Sequence, residues 1–316
     1  MRQYLAQRFL LAIPTIFFVT MLVFLLTRVM PGDPAVFLAG TDATRSDIAS
    51  VRKEFHLDEP VPVQYLRWLK DAAHGNLGRS VRNARLPVTT VLKDRILATL
   101  ELGFITLLIS ISISIPLGVL AAYKRDTFWD HASTTLALLA LSLPSFVLAY
   151  LLIFIVGLHF KLLPPAGYVP FLQSPGTNLK LMILPAITLA SAALAGKTRI
   201  LRTTVLEVLN QDYVTVARAK GLSMRTVLQS HVLKNALIPF VTVVGVQIGS
   251  ILGGAVIVET VFGIPGMGKL TLDGILSRDF PTIQGVVLVI VLVYLIVNTL
   301  IDLTYAYLDP RIRLSG

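Results

Sequence analysis

Residues 211–223, QDYVTVARAKGLS, form a polar stretch between two long apolar runs near 181–201 and 235–258. Each run has about the 20 residues that an α-helix needs to cross the hydrocarbon of a bilayer. The residues before Gly221 favour a helix, and glycine readily takes the left-handed conformation that ends one. The stretch therefore predicts a helix and a sharp turn at one surface of a membrane-spanning bundle.

The wider segment, about 203–234, has the composition of a rigid docking element. Ser223 is a suitable N-cap for a second helix, from Met224 to about Lys234. Small residues would let a partner approach closely, and basic residues would give a cationic rim. A solvated loop that follows the positive-inside rule explains the same composition, and the residues leave both interpretations open. The candidate docking residues are Asp212, Tyr213, Ala217, Arg218, Ala219, Lys220, Gly221 and His231.

Six apolar runs dominate the whole chain, which is 54% hydrophobic and only 15% charged. Soluble domains carry about 25% charged residues. The first run is longer than the apolar core of a cleaved signal peptide, which predicts a retained helix. The pattern predicts an all-α membrane protein. Its expected spans lie near 9–28, 97–122, 132–158, 181–201, 235–258 and 283–306.

Basic residues are unevenly shared among the short loops. With a cytoplasmic N-terminus, the inside segments hold 13 Lys or Arg residues and the short outside loops hold 4. The other 11 of the 28 lie between the first two spans, a stretch too long for the positive-inside rule. This distribution predicts that both termini are cytoplasmic. It also explains much of the +10 net charge without a nucleic-acid partner.

Three parts of the chain follow from this pattern. Residues 1–95 comprise the first span and an extracytoplasmic segment, in which residues 63–69 have apolar positions at helical spacing. We expect short helices there. Residues 96–308 form a five-helix core that contains the docking segment, and residues 309–316 form a cytoplasmic tail.

Several enzyme and metal chemistries find no support in the residues. There is no cysteine, and the five histidines show no pair at the spacing of metal ligands. Residues 263–270, GIPGMGKL, approach a P-loop, but Leu270 stands where the Mg²⁺-binding Ser or Thr belongs. We therefore predict no bound metal or cofactor and no ATP hydrolysis by this chain.

Polar and small residues interrupt the apolar runs at two places. Proline breaks a backbone hydrogen bond within the third run, and serine can satisfy the freed carbonyl groups. Kinks of this kind suit a translocation path. Small residues four apart in the fifth run suit close helix packing, either within the chain or against a second membrane subunit. The path candidates are Ser142, Pro144, Ser145 and Gln247, and the packing candidates are Gly245, Gly249 and Gly253.

The docking segment resembles the EAA loop of bacterial ABC-importer permeases. The resemblance rests on Asp212-Tyr213, residues 217–221 (ARAKG), His231 and residues 235–239 (NALIP), with Tyr213 in the region of the Glu that gives the loop its name. Other stretches resemble the dipeptide, oligopeptide and nickel branch of these permeases, and together they span the chain. They are residues 31–34, 75–80, 98–102, 115–122, 262–268 and 309–313.

The resemblance implies the type I importer fold in a bacterial inner membrane. It also implies a second homologous permease in a heterodimer, two cytoplasmic ATPases that bind ATP and Mg²⁺, and an extracytoplasmic binding protein. Di- and oligopeptides are the expected substrates. Nickel chelates and glutathione-like solutes remain alternatives, as does a secondary transporter that works without ATPases.

Overall fold

The computed structural model describes residues 2–29, 33–39, 43–54, 56–83 and 86–308. Apart from an isolated bridge between Arg79 and Pro87, the regular structure of these residues is helical. Residues 31, 32 and 309–316, which belong to two of the resembling stretches and to the predicted tail, lie outside the described residues. The helices are α1 (Arg2–Val29), α2 (Pro34–Ala39), α3 (Arg45–Glu54), α4 (Val61–Ala73), α5 (Val88–Tyr123), α6 (Phe128–Ser142), α7 (Ser145–Leu152), α8 (Pro175–Leu209), α9 (Asp212–Ala219), α10 (Met224–Val227), α11 (Leu233–Phe262), α12 (Met267–Leu276) and α13 (Phe280–Leu308).

Five helical stretches are long and apolar enough to cross a membrane, and a bent pair makes a sixth when it is counted as one span. The prediction of an all-α protein with about six spans is thereby confirmed. The five stretches are Leu10–Val29, Val88–Tyr123, Pro175–Leu209, Met224–Phe262 and Phe280–Leu303.

The third predicted span, 132–158, is interrupted at Pro144, as the sequence predicts, but the interruption is a sharp bend between two helices. The helix is interrupted between α6 and α7, and the helical segments on the two sides are bent by 101° relative to each other. Leu143 is extended, with φ −90° and ψ 129°. A residue that precedes proline is pushed out of the helical region, and Pro144 has no N–H to continue the ladder. The helix that follows Pro144 ends in a π-helical turn, Ile153–His159.

Helix α5 begins at Val88, nine residues before the predicted start at residue 97. The added turns are amphipathic, and Val88 and Leu92 are buried. They pack with Leu77, Met267 and Leu270 in one core. The predicted division between residues 95 and 96 therefore lies inside a helix.

The chain forms two compact units, Met1–Thr99 with Pro265–Ile296, and Leu100–Ile264 with Val297–Gly316. In the first unit, the segment after α1 folds into the short helices α2, α3 and α4, as the sequence predicts. Asp279 is buried there and accepts hydrogen bonds from the Ser80 hydroxyl (2.5 Å) and the Thr282 hydroxyl (2.8 Å).

In the second unit, α8 is the most buried of the long helices. It packs against α6, α7 and α11. Its last turns meet the docking segment.

Candidate functional site

A hydrogen-bonded turn at Gly221 ends α9. Gly221 has φ +81°, in the left-handed region that favours glycine. Its N–H donates to the carbonyl of Arg218 (2.9 Å), and the N–H of Leu222 donates to that of Ala217 (3.4 Å). This pair of bonds is a Schellman motif. Ser223 then caps α10 by accepting a hydrogen bond from the N–H of Thr226 (3.3 Å). The predicted helix and turn are both present.

The second arm of the docking segment is not a separate helix. A π-helical turn, Leu228–Val232, joins α10 to α11, so Met224–Phe262 forms one helical stretch of 39 residues. Nothing in the sequence ends the helix between Ser223 and the membrane. The second arm of the docking segment is therefore continuous with the span α11. π-Helical turns occur frequently at functional sites.

The inner side of the docking segment belongs to a core shared with three spans. Val214 and Ala217 of α9 and Val227 of α10 are buried. They pack with Leu201 and Val205 of α8, Ala122 of α5, and Val232, Ala236 and Phe240 of the α11 stretch. Ala217, which the sequence predicts to be a docking residue, therefore packs in the core beneath the segment.

Hydrogen bonds add to this core. The Asn235 side chain donates to the Tyr213 hydroxyl (2.9 Å) and to the carbonyl of His231 (3.1 Å). The Thr204 hydroxyl of α8 donates to the carbonyl of Ala236 (3.3 Å). The two ends of the docking motif, Asp212-Tyr213 and Asn235-Ala236, are thus joined in space.

The outer side of the segment is open. Asp212, Tyr213, Arg218, Ala219, Lys220 and Gly221 are exposed, and His231 is half-buried. Two large apolar side chains accompany them, since Val216 is 52% exposed and Leu222 is 41% exposed. A surface that combines apolar side chains with cations on a rigid turn suits binding to another protein.

An ion pair joins α8 to α6 close to this segment. The Nε of Arg202 donates to one carboxylate oxygen of Asp130 (2.7 Å), and a terminal nitrogen donates to the other (2.6 Å). The backbone N–H of Asp126 also donates to Asp130 (3.0 Å). A cavity of about 490 Å³ adjoins the pair, with Arg199, Thr198 and His131 in its walls. This pair could not be predicted from the sequence, because 72 residues separate its partners.

Comparisons with known proteins identify the family. The family described as the binding-protein-dependent transport system inner membrane component matches residues 114–314, and its N-terminal counterpart matches residues 1–103. The chain belongs to this inner-membrane component family. It is therefore a multi-pass inner-membrane protein of a transport system that works with a binding protein.

Relatives match this transport component over nearly its whole length. It is 40% identical to the probable peptide ABC transporter permease protein y4tP of Sinorhizobium fredii, over 98% of this chain and 99% of the relative. It is 39% identical to the dipeptide transport system permease protein DppB of Escherichia coli, over 99% of each chain. A solved structure of the inward-facing MetNI methionine ABC transporter has a similar fold. The TM-score is 0.56 at 16% identity, over 67% of this chain and 93% of that one. The expected type I importer fold is thereby confirmed.

The path candidates of this transport component lie in two environments. Ser142 and Pro144 are exposed at the break between α6 and α7, and Ser145 is half-buried. The Ser142 hydroxyl donates to the carbonyl of Leu138 (2.9 Å), which satisfies a group near the end of α6. Gln247, in contrast, is buried. The structure does not bring it together with the serines.

Gln247 belongs to a polar cluster that joins three helices. Its side-chain oxygen accepts a hydrogen bond from Lys197 of α8, which also donates to the hydroxyl of Ser110 in α5. Lys197 is completely buried. Lys197 is one of the 13 basic residues counted in the inside segments, although it lies within the apolar run near 181–201.

The three packing glycines of the transport component are not equivalent. A Cβ atom at Gly245 would lie 3.1 Å from Cγ2 of Ile301, so glycine permits the close approach of α11 and α13 there. Gly249 is half-buried. Gly253 is exposed, and a Cβ atom there would meet nothing within 4 Å. Gly253 is thus available to a neighbour outside the chain.

The P-loop-like stretch of the transport component follows a helix. Gly263, with φ +70°, ends α11, and α12 begins at Met267. Leu270 is buried in the first unit. A P-loop follows a strand instead. Among the described residues, no group of three or more His, Cys, Asp or Glu side chains is placed to hold a metal ion.

Proposed function

We propose that this chain is the pore-forming permease subunit of an ATP-driven importer of di- and oligopeptides. The similarity to relatives named as peptide and dipeptide permeases, over almost the entire chain, supports this substrate class. In the proposed complex the chain pairs with a second, homologous permease. Two cytoplasmic ATPases supply ATP and Mg²⁺ chemistry, and an extracytoplasmic protein delivers the peptide. The chain itself hydrolyses no ATP, and both of its termini are cytoplasmic.

The observation that carries the mechanism is the core beneath the docking segment. Val214 and Ala217 of α9 pack in the same cluster as residues of α5, α8 and α11. Protein interiors are close-packed and transmit displacements rather than absorb them. When an ATPase moves α9, the ends of these three helices must therefore move with it. A rigid lever of this kind can bias a bundle between two arrangements.

The exposed side of the segment would receive the ATPase. Val216 and Leu222 supply apolar contact area, and Arg218 and Lys220 supply cations around it. The Arg202–Asp130 pair would extend the lever to α6, which leads to the kink at Pro144. The path candidates at this kink would then respond to the docking segment.

The first test replaces the glycine of the turn. Gly221→Pro is incompatible with φ +81°, because proline fixes φ near about −65°, and it removes the N–H that closes the turn. We expect peptide uptake to fall at least about tenfold while the chain stays in the membrane at a normal level. Gly196→Ala is the matched control, since Gly196 lies in α8 with open space around its Cα. Normal uptake by Gly221→Pro would refute the role of the turn.

A second test separates docking from folding. Val216→Asp changes an exposed side chain, so it should leave the chain folded but reduce recovery of the ATPase when the complex is purified. Gln229→Asp, also exposed but on the second arm, should not reduce it. Purification of the chain without any ATPase, together with peptide uptake that survives depletion of ATP, would favour a secondary transporter. Uptake of nickel chelates or glutathione in place of peptides would replace the proposed substrate.

A further inference from the structure

The cavity of about 490 Å³ beside the Arg202–Asp130 pair lies between one face of α6 and one face of α8. Residues three and four apart share a helix face, and the wall residues of both helices follow this spacing. The whole cavity therefore belongs to the second unit. The wall residues that carry the argument are His131, Thr135 and Leu138 of α6, and Ala195, Arg199 and Arg202 of α8.

Several hydrogen-bond donors in the cavity wall are accessible and unoccupied. Arg199 is exposed and forms no ion pair with a described residue. Thr135 and Thr203 are also exposed, and their hydroxyls form no hydrogen bond within the described part of the chain. A guanidinium group beside hydroxyl donors suits an anion with several oxygen atoms, such as a phosphate group, which arginine binds through two parallel bonds.

The pairing of charges around the cavity leaves it positive. The carboxylate of Asp130 is matched by Arg202, at 2.7 and 2.6 Å. The carboxylate of Asp126, which also lies in the wall, pairs with Nε of Arg125 at 3.1 Å. Arg199 has no such partner among the described residues, so its charge is available to an anionic ligand.

The polarity of the cavity changes along the helices. The charged residues lie towards the start of α6 and the end of α8, where α8 leads into the docking segment. Leu138 lies eight residues after Asp130, which is about 12 Å along a helix. Leu138 is 40% exposed, and Leu141, one turn further from the charged end, is 53% exposed. A charged end at the membrane surface and an apolar end towards the hydrocarbon match the two parts of a phospholipid.

We propose that this cavity binds one anionic phospholipid of the cytoplasmic leaflet. Arg199 binds the phosphate, Thr135 and Thr203 donate hydrogen bonds to its oxygens, and an acyl chain lies along Ala195 and Leu138. Basic pockets between transmembrane helices on the cytoplasmic side are typical sites of anionic headgroups. The choice of leaflet rests on the proposed orientation of the termini, whereas the binding itself depends on neither a peptide nor an ATPase.

Native mass spectrometry of the full-length chain tests the site directly. The chain, purified in dodecyl maltoside, is titrated with dioleoyl phosphatidylglycerol and, separately, with dioleoyl phosphatidylcholine. We expect one phosphatidylglycerol to bind at least about tenfold more tightly than phosphatidylcholine, because only the first lipid has a net negative charge. Neither inorganic phosphate nor glycerol 3-phosphate should displace it at millimolar concentration, since neither has an acyl chain.

Two pairs of variants locate the bound lipid. Arg199→Gln should weaken phosphatidylglycerol binding at least about tenfold, to the level of phosphatidylcholine. Lys180→Gln removes one exposed cation from the opposite end of the same helix and should change nothing. Thr135→Trp fills the cavity without altering a charge and should also reduce binding at least about tenfold. Its control is Leu136→Trp, because Leu136 is 54% exposed and lies outside the cavity wall.

Thermal stability provides a second measurement. A ligand that binds only the folded chain stabilises it. Phosphatidylglycerol should therefore raise the temperature at which the chain loses its monodisperse fraction, for wild type and Lys180→Gln but not for Arg199→Gln. An equal rise for Arg199→Gln would place the stabilising lipid elsewhere and overturn the proposal.

Other occupants of the cavity predict other results, each of which would overturn the proposal. Displacement of the lipid by phosphate or glycerol 3-phosphate would indicate a site for a soluble anion. Equal weakening by Arg199→Gln and Lys180→Gln would indicate attraction to net charge without a site. Binding to the isolated chain that is lost in the purified complex would show that a neighbouring subunit fills the cavity.

The lipid site and the proposed importer can fail separately. Peptide uptake does not enter the lipid measurement. Selective lipid binding without peptide uptake would refute the proposed function and leave the site intact. Peptide uptake by a chain that binds both lipids equally would refute the site and leave the importer intact.

Discussion

Two cations on α8, five residues apart, are accommodated in different ways. Arg202 meets the carboxylate of Asp130 through two hydrogen bonds, 2.7 and 2.6 Å long. Lys197 is completely buried, and among the described residues it donates hydrogen bonds to the neutral side chains of Ser110 and Gln247. The planar guanidinium fits a carboxylate with two parallel bonds, whereas the ammonium group is a point charge with three donors.

The difference separates two structural roles. The Arg202–Asp130 pair is a specific tie between α6 and α8, and removal of either partner leaves an uncompensated charge. Lys197 contacts Ser110 of α5 and Gln247 of α11, and no acidic residue in the described part of the chain forms an ion pair with it. A buried cation without a carboxylate is expensive, and a nonpolar side chain of similar size can replace it with little loss. Three substitutions test this difference.

The largest effect is expected for Asp130→Ala. Arg202 would lose its counter-charge, and the free energy of unfolding should fall by about 3 kcal/mol, the lower end for a broken buried pair. The lower end applies because the Arg202 side chain is 27% exposed. The measurement is the fraction of chain that remains monodisperse after detergent extracts are heated. The control is Asp126→Asn, since asparagine tolerates the positive φ of this residue (58°), the Asp126 side chain is 75% exposed, and its backbone N–H keeps the contact with Asp130. If wild type and Asp130→Ala lose their monodisperse fraction at the same temperature, the pair does not stabilise the contact between α6 and α8.

An intermediate effect is expected for Gln247→Leu. Lys197 would lose one of its two acceptors inside the bundle, at a cost of about 1–3 kcal/mol. The same heating assay measures it, with Ser250→Ala as control. The Ser250 hydroxyl donates to the backbone carbonyl of Gln247 in its own helix and has no other hydrogen bond to a described residue. A loss as small as that of the control would mean that Lys197 does not depend on Gln247.

The smallest effect is expected for Lys197→Met. Removal of the buried charge offsets the two acceptors that lose their donor, so the free energy of unfolding should change by no more than about 1 kcal/mol. If Lys197→Met destabilises the chain more than Asp130→Ala does, the proposed difference between the two cations is refuted. The contacts of Lys197 would then contribute more to the free energy of unfolding than the Arg202–Asp130 pair does.

Much of the docking segment could be predicted from the sequence because its determinants are local. Gly221 ends α9, and Ser223 caps α10, through bonds that reach only a few residues along the chain. The inward orientation of Ala217 could not be predicted with the same certainty, since it depends on which sides of α8 and α11 lie beneath α9. The sequence predicts a kink at Pro144 within one helix. The bend of 101° could not be predicted, since a proline sets the position of a break and not its angle.

The sequence by itself determined that this is a helical membrane protein with about six spans, where the docking turn lies, and the resemblance to importer permeases. These properties follow from the length and periodicity of apolar runs and from capping residues, which are local. Only the tertiary structure decided that Arg202 meets Asp130 and that Lys197 is buried with Ser110 and Gln247. Those contacts join residues that are distant in the chain. Their formation depends on how whole helices pack, which no single segment encodes.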